Sequence, residues 1–138
     1  MKNSIFDSKD ELEFSKELTK RGLKWTYHSE TIILLPPLKT CLKNYLKTSY
    51  TPDFEFEYKN KRVIVEVKGF TRNDDALRIK LASYHYHTDG KIYLTAKLSG
   101  TIKDNNKGWY IYGKQPNKNM KNRPTFWDKL DECIKKSN

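Results

Sequence analysis

Three residues in two nearby segments carry the clearest chemistry in this 138-residue chain: Asp53, directly after Pro52, and the pair Glu66 and Lys68 on either side of Val67. Hard divalent cations such as magnesium take oxygen ligands, usually one or two carboxylates completed by water and substrate phosphate oxygens. An amine beside such a pair can position or deprotonate a water, or offset charge building on phosphorus. Two acids and a lysine therefore have the composition needed for metal-assisted hydrolysis of a phosphodiester.

The flanking residues say how the three come together. Phe54 to Tyr58 alternates aromatic and acidic residues, Arg62 to Lys68 is rich in β-branched ones, and Lys59-Asn60-Lys61 supplies a turn between them, which reads as an antiparallel hairpin. Side chains two apart on a strand share a face, so Ile64, Glu66 and Lys68 point one way and Val63, Val65 and Val67 the other. Pro52 suits the start of an edge strand and pins Asp53 just after it. The returning strand then brings Glu66 to Lys68 to the end of the hairpin where Asp53 lies. A blander account is available for each group: Glu66 and Lys68 as a sheet ion pair, Asp53 as a turn cap.

A third acid comes from the first helix, expected from Ser8 to Arg21. Ser8-Lys9-Asp10-Glu11 fits a capping box and Gly22 is a natural stop. At about 100° per residue, Glu11 shares a stripe with Phe14, Ser15 and Leu18, while Glu13 and Glu17 project elsewhere. Glu11 is thus a cap, a member of the cation site, or both.

Pro52-Asp53 followed by Glu66-Val67-Lys68 resembles the signature of the PD-(D/E)XK nuclease superfamily. Within it, Tyr50-Thr51-Pro52-Asp53-Phe54 and Val65-Glu66-Val67-Lys68-Gly69 are most similar to the phage endonuclease I group of Holliday-junction resolvases and related small phage nucleases. The resemblance covers about residues 8 to 95. It implies an α/β, restriction-endonuclease-like core, with a central mixed β-sheet flanked by helices. It also implies a site in which Glu11, Asp53, Glu66 and the carbonyl of Val67 bind Mg2+ or Mn2+, with Lys68 as base or charge stabiliser. The activity implied is structure-selective cleavage of DNA, by a homodimer, in the cytoplasm of a bacterial host cell from a phage or prophage gene. A nicking or restriction-type nuclease acting on duplex DNA, and a catalytically silent DNA-binding accessory protein, are the alternatives.

The rest of the chain fits a nucleic-acid partner. Twenty-seven Lys and Arg against 17 Asp and Glu give a formal charge of +10, which favours polyanions. No long apolar run or signal-peptide pattern is present, so no membrane partner is expected. Cys41 and Cys133 lack metal-site spacing and read as free thiols. Residues 1–138 are expected to form a single nuclease domain, with a core over about 8–95 and a C-terminal strand and helix over 108–136.

Lys24 to Tyr27 and Thr31 to Leu35 are expected to be the sheet's first strands. Lys39, Lys43 and Lys47, among Leu38, Leu42, Tyr45 and Leu46, line a DNA groove or simply solvate a face. Asp74 to His87 reads as the second helix, with Leu77, Leu81 and Tyr84 inward, widened by Ala76, Ile79 and Ala82. Arg72, Arg78 and Lys80 are placed to reach phosphates. Lys91 to Thr95 should lie beside the Glu66 strand. Trp109 to Tyr112 suggests a further strand and Lys114 to Arg123 a basic loop. Thr125 to Lys136 suggests a helix capped by Thr125, with Phe126, Trp127, Leu130 and Ile134 inward.

Overall fold

The computed structural model describes residues 5–69, 75–112 and 123–136. The hairpin is present. Strands β6 (Phe54–Tyr58) and β7 (Lys61–Val67) pair antiparallel from Tyr58↔Lys61 to Phe54↔Val65. Lys59 and Asn60 link them with φ of 48° and 67°, the left-handed pair that matches the twist of a two-residue hairpin. Strand β1 (Trp25–Tyr27) lies antiparallel on the other side of β6. Strand β8 (Ile92–Ser99) runs parallel to β7, and β9 (Gly108–Ile111) is antiparallel to β8. The result is a mixed five-stranded sheet in the order β1-β6-β7-β8-β9. β6 is therefore an interior strand and not the expected edge. Pro52 is tolerated because it precedes the first paired residue, so no ladder bond is lost.

Alternation along β7 sorts the two faces. Val63, Val65 and Val67 pack with Phe14 and Leu18 of α1 (Lys9–Lys20) and with Phe126, Leu130 and Ile134 of α3 (Phe126–Lys136). Ile64 belongs to the opposite cluster, with Ala82 and Tyr86 of α2 (Asp75–Thr88) and with Tyr93 of β8. Ser8 caps α1, accepting from the Glu11 N–H while donating to its carboxylate. At α3 the Thr125 hydroxyl accepts from the Asp128 N–H and the Asp128 carboxylate accepts from the Thr125 N–H, a reciprocal box that satisfies two amides at the helix start. The first and last helices are also clasped together: the Trp127 indole N–H donates to Glu17 (2.9 Å), and Arg21 lies 4.0 Å over the Trp127 ring. Among the described residues no helix is long and apolar enough to cross a membrane. Cys41 and Cys133 are free thiols.

Two further expectations fail. The second apolar run, β2 (Ile32–Leu35), does not enter the central sheet. It pairs with β5 (Thr48–Tyr50) as a separate ribbon. Beyond it the chain continues as a smaller ribbon of β3 (Leu38–Lys39) and β4 (Asn44–Tyr45). Pro36 and Pro37 separate the two tiers because neither has an N–H to donate. Helix α2 also faces another way: Leu77 and Tyr84 are exposed, while Asp75, Ala82 and Tyr86 are buried and Ile79 is half-buried. Apolar residues are spread around this helix, so polar anchoring decides its rotation. The Tyr86 hydroxyl donates to Glu30 (3.0 Å), its ring stacks on Tyr93 at 5.7 Å, and Asp75 meets Lys68.

Phe14 joins the layers, with its ring 5.4 Å from Phe54, 4.8 Å from Trp109 and 5.6 Å from Phe126. Phe14→Ala should lower unfolding free energy by about 3–5 kcal/mol through lost burial and a residual cavity. Leu77→Ala, at an exposed position, should change it by less than about 0.5 kcal/mol. Urea titration of both variants checks the pair.

Candidate functional site

The register of the hairpin builds the site. Phe54 pairs with Val65, so one residue further Asp53 stands level with Glu66. Asp53 does not cap a turn. Its Oδ2 accepts the Val67 N–H at 2.8 Å, which ties it to the strand carrying the other acid. Asp53 and Lys68 are buried, Glu66 nearly so, and Glu11 is buried at the start of α1. All four line one cavity of about 330 Å³, together with Val67, Arg78 and Ser8.

Within that cavity the acids form two groups. Asp53 and Glu66 are in direct contact, and burial first, then repulsion from Glu66, pushes the Asp53 carboxyl up to about 8 despite the Val67 amide. Burial also raises Glu66 above the ordinary carboxylate range, opposed by the Tyr50 hydroxyl and Lys68. Glu11 adds a smaller repulsion on Asp53. It accepts from the Tyr27 hydroxyl, and its carboxylate lies with Asp7 and His28 in a cluster whose ligating atoms are all within 4.8 Å of one another. His28 joins the groups, with Nε2 3.4 Å from Asp53 Oδ1 and 3.9 Å from Asp7 Oδ2.

Lys68 is shared. Its Nζ is 3.9 Å from Glu66 but 3.0 Å from Asp75, a carboxylate at the first turn of α2 that is 1% exposed. Arg78, one turn further on, is 3.8 Å from the same Asp75 oxygen. The Tyr50 hydroxyl donates to Glu66 at 2.7 Å and lies 2.8 Å from the Tyr93 hydroxyl. Of the residues expected to contact phosphates, Arg78 lines the cavity, Lys80 is exposed on α2 outside the lining, and Arg72 lies outside the described residues. Val67 lines the cavity, with its amide on Asp53.

The donor set fits a hard divalent cation. Its oxygens are carboxylate oxygens, and two of them are buried against each other at a cost that a proton or a cation between them relieves. Asp7, His28, Tyr50 and Asp75 are the members that motif reading missed. Tyr50 and His28 sit within reach of the motif only because β5 and β1 converge on Asp53. Asp75 had a visible signal as an acid in the first turn of a helix entering just after the Lys68 strand.

The raised pair sets a pH dependence of stability. A carboxyl whose pKa rises on folding holds its proton more tightly folded than unfolded, so stability is lost as pH climbs from about 4 toward about 8. The melting temperature of the metal-free protein should fall relative to Asp53→Asn over that window, so that the variant's advantage is largest near pH 8. Millimolar manganese should restore the wild type at pH 8 and leave the variant unmoved, because ligand binding to the folded state alone stabilises it. Thermal scans from pH 5 to pH 8 decide; parallel curves would refute the repulsion.

No curated protein matches the chain. The family model described as a protein of unknown function (DUF1064) matches residues 1–100, a span that takes in Glu11, Asp53, Glu66, Lys68, Asp75 and Arg78 and stops before β9 and α3. With well over half its length inside that match, the chain belongs to the DUF1064 family.

Proposed function

We propose that this protein is a metal-dependent DNA endonuclease that hydrolyses phosphodiester bonds in branched DNA. The observation that carries the reading is the buried Asp53 and Glu66 pair, in a cavity also lined by Glu11, Lys68 and Arg78. Asp53 and Glu66, with Glu11 and the carbonyl of Val67, would hold magnesium or manganese. Such a cation supplies a water of lowered pKa and takes up charge on a phosphate oxygen.

The remaining work falls to the chain's own side chains. Lys68, 3.0 Å from Asp75 and 3.9 Å from Glu66, is held with its charge beside the acids. That position favours offsetting charge on the phosphate in the transition state over acting as base. Arg78 is placed to meet a neighbouring phosphate. Tyr50 fixes the orientation of Glu66, and the Val67 amide fixes that of Asp53. The formal charge of +10 steers DNA toward the site.

Branched DNA as substrate follows from the likeness of the two motifs to the phage resolvases. So does a cytoplasmic setting in a bacterial cell carrying the phage or prophage. Two symmetric incisions in a junction need two sites, hence a homodimer.

Asp53→Asn, Glu66→Gln and Lys68→Ala should each reduce magnesium-dependent nicking of supercoiled plasmid by at least about a hundredfold. DNA affinity should stay within about threefold in each. Full activity in all three variants would sink the assignment, and comparison of a four-way junction with linear duplex tests the substrate.

A further inference from the structure

Residues 36–47, the outer part of the arm between β2 and β5, take no part in the chemistry above, yet they carry the two most exposed large apolar side chains among the described residues. Leu42 is 92% exposed and Leu46 87% exposed, the opposite of where leucine side chains usually settle. The tip that presents Leu42 is a built structure. The Thr40 hydroxyl accepts from the amides of Leu42 and Lys43 and donates to the Lys43 carbonyl, and the Thr40 amide donates to that carbonyl as well. Lys43 in turn lies over the Tyr45 ring at 4.9 Å. A turn ordered this way presents its apolar side chain on a backbone already fixed, so the ordering left to pay on binding is that of the side chain alone.

Charge says what it meets. From Thr31 to Pro52 the chain has no acidic residue, while Lys39, Lys43 and Lys47 recur along the arm and are all exposed. An apolar tip flanked by amines, on a stretch of chain that carries no carboxylate of its own, complements a surface that is anionic at its edges and apolar between. That is a nucleic acid, with phosphates for the lysines and a base step for the leucines. The arm is also joined to the site: β5 runs directly into Pro52 and Asp53, and Tyr50 at its root donates to Glu66.

We propose that the arm is a nucleic-acid wedge, in which Leu42 and Leu46 enter between unstacked bases while Lys39, Lys43 and Lys47 hold the flanking phosphates. The proposal rests on the nuclease reading above and deepens it by naming the element that selects substrate. A wedge gains most where stacking is already broken, so the arm favours branched or interrupted DNA over continuous duplex.

The test compares binding of a fluorescent four-way junction and a linear duplex of the same sequences, without divalent ions. Wild type is set against Leu42→Ser/Leu46→Ser and against Lys39→Gln/Lys43→Gln/Lys47→Gln. The leucines are so exposed that the serine variant should fold, which its melting temperature verifies. Wild type should prefer the junction by about tenfold or more. The serine variant should lose that preference to within about twofold while keeping its duplex affinity. The lysine variant should lose affinity for both probes, with a shallower salt dependence. Undiminished junction preference in the serine variant overturns the wedge and leaves the nuclease reading standing. A wild type that binds neither probe overturns both. A serine variant that changes from dimer to monomer by analytical ultracentrifugation overturns the wedge in favour of a contact between copies of the chain.

Discussion

The pairing of Phe54 with Val65 is the constraint on which the site depends. It leaves Asp53 one step beyond the ladder and level with Glu66, where the Val67 amide holds it. A slip of one residue would turn every side chain of β7 to the other face, sending Glu66 and Lys68 into the valine layer. Burial of Val63, Val65 and Val67 under α1 and α3 forbids that slip. The hydrophobic core and the placement of the acids are therefore one problem with one solution.

That placement is unfavourable in isolation, and the surroundings show how the fold tolerates it. Neighbouring groups engage each acid: the Val67 amide donates to Asp53 and His28 lies beside it, Tyr50 donates to Glu66, and Ser8 and Tyr27 donate to Glu11. Lys68 faces Asp75 more closely than Glu66, so the nearest cation does not cancel the Asp53 and Glu66 repulsion. The pair remains ready for a stronger positive charge than the protein itself supplies. Glu11 contributes from a different direction, grouped with Asp7 and His28 across the His28 bridge.

Sequence patterns foretold the hairpin, the capped first and last helices, the parallel partner of β7 and the convergence of Asp53, Glu66 and Lys68, because each rests on local periodicity. What was illegible depended on distant partners. Ile32 to Leu35 reads like any sheet strand, and only its pairing with Thr48 to Tyr50 removes it to a separate ribbon. Helix α2 has apolar residues on several sides, so its rotation is set by Glu30, Tyr93 and Lys68, none of them within the helix. His28 enters the site from the end of strand β1, whose three residues carry too little pattern to announce a role, and Asp7 from just before the α1 cap, where its amide meets the Tyr27 hydroxyl.

The two-tiered ribbon has a consequence for how such proteins diversify. Between Leu35 and Thr48 every residue is exposed, and the hairpin closes on itself through contacts close in sequence. Substitutions there escape the penalty that polices the valine layer, so natural variation can accumulate in this limb while the floor of the acidic cavity stays fixed. Descendants of one ancestor would then share an engine and differ in what they grip.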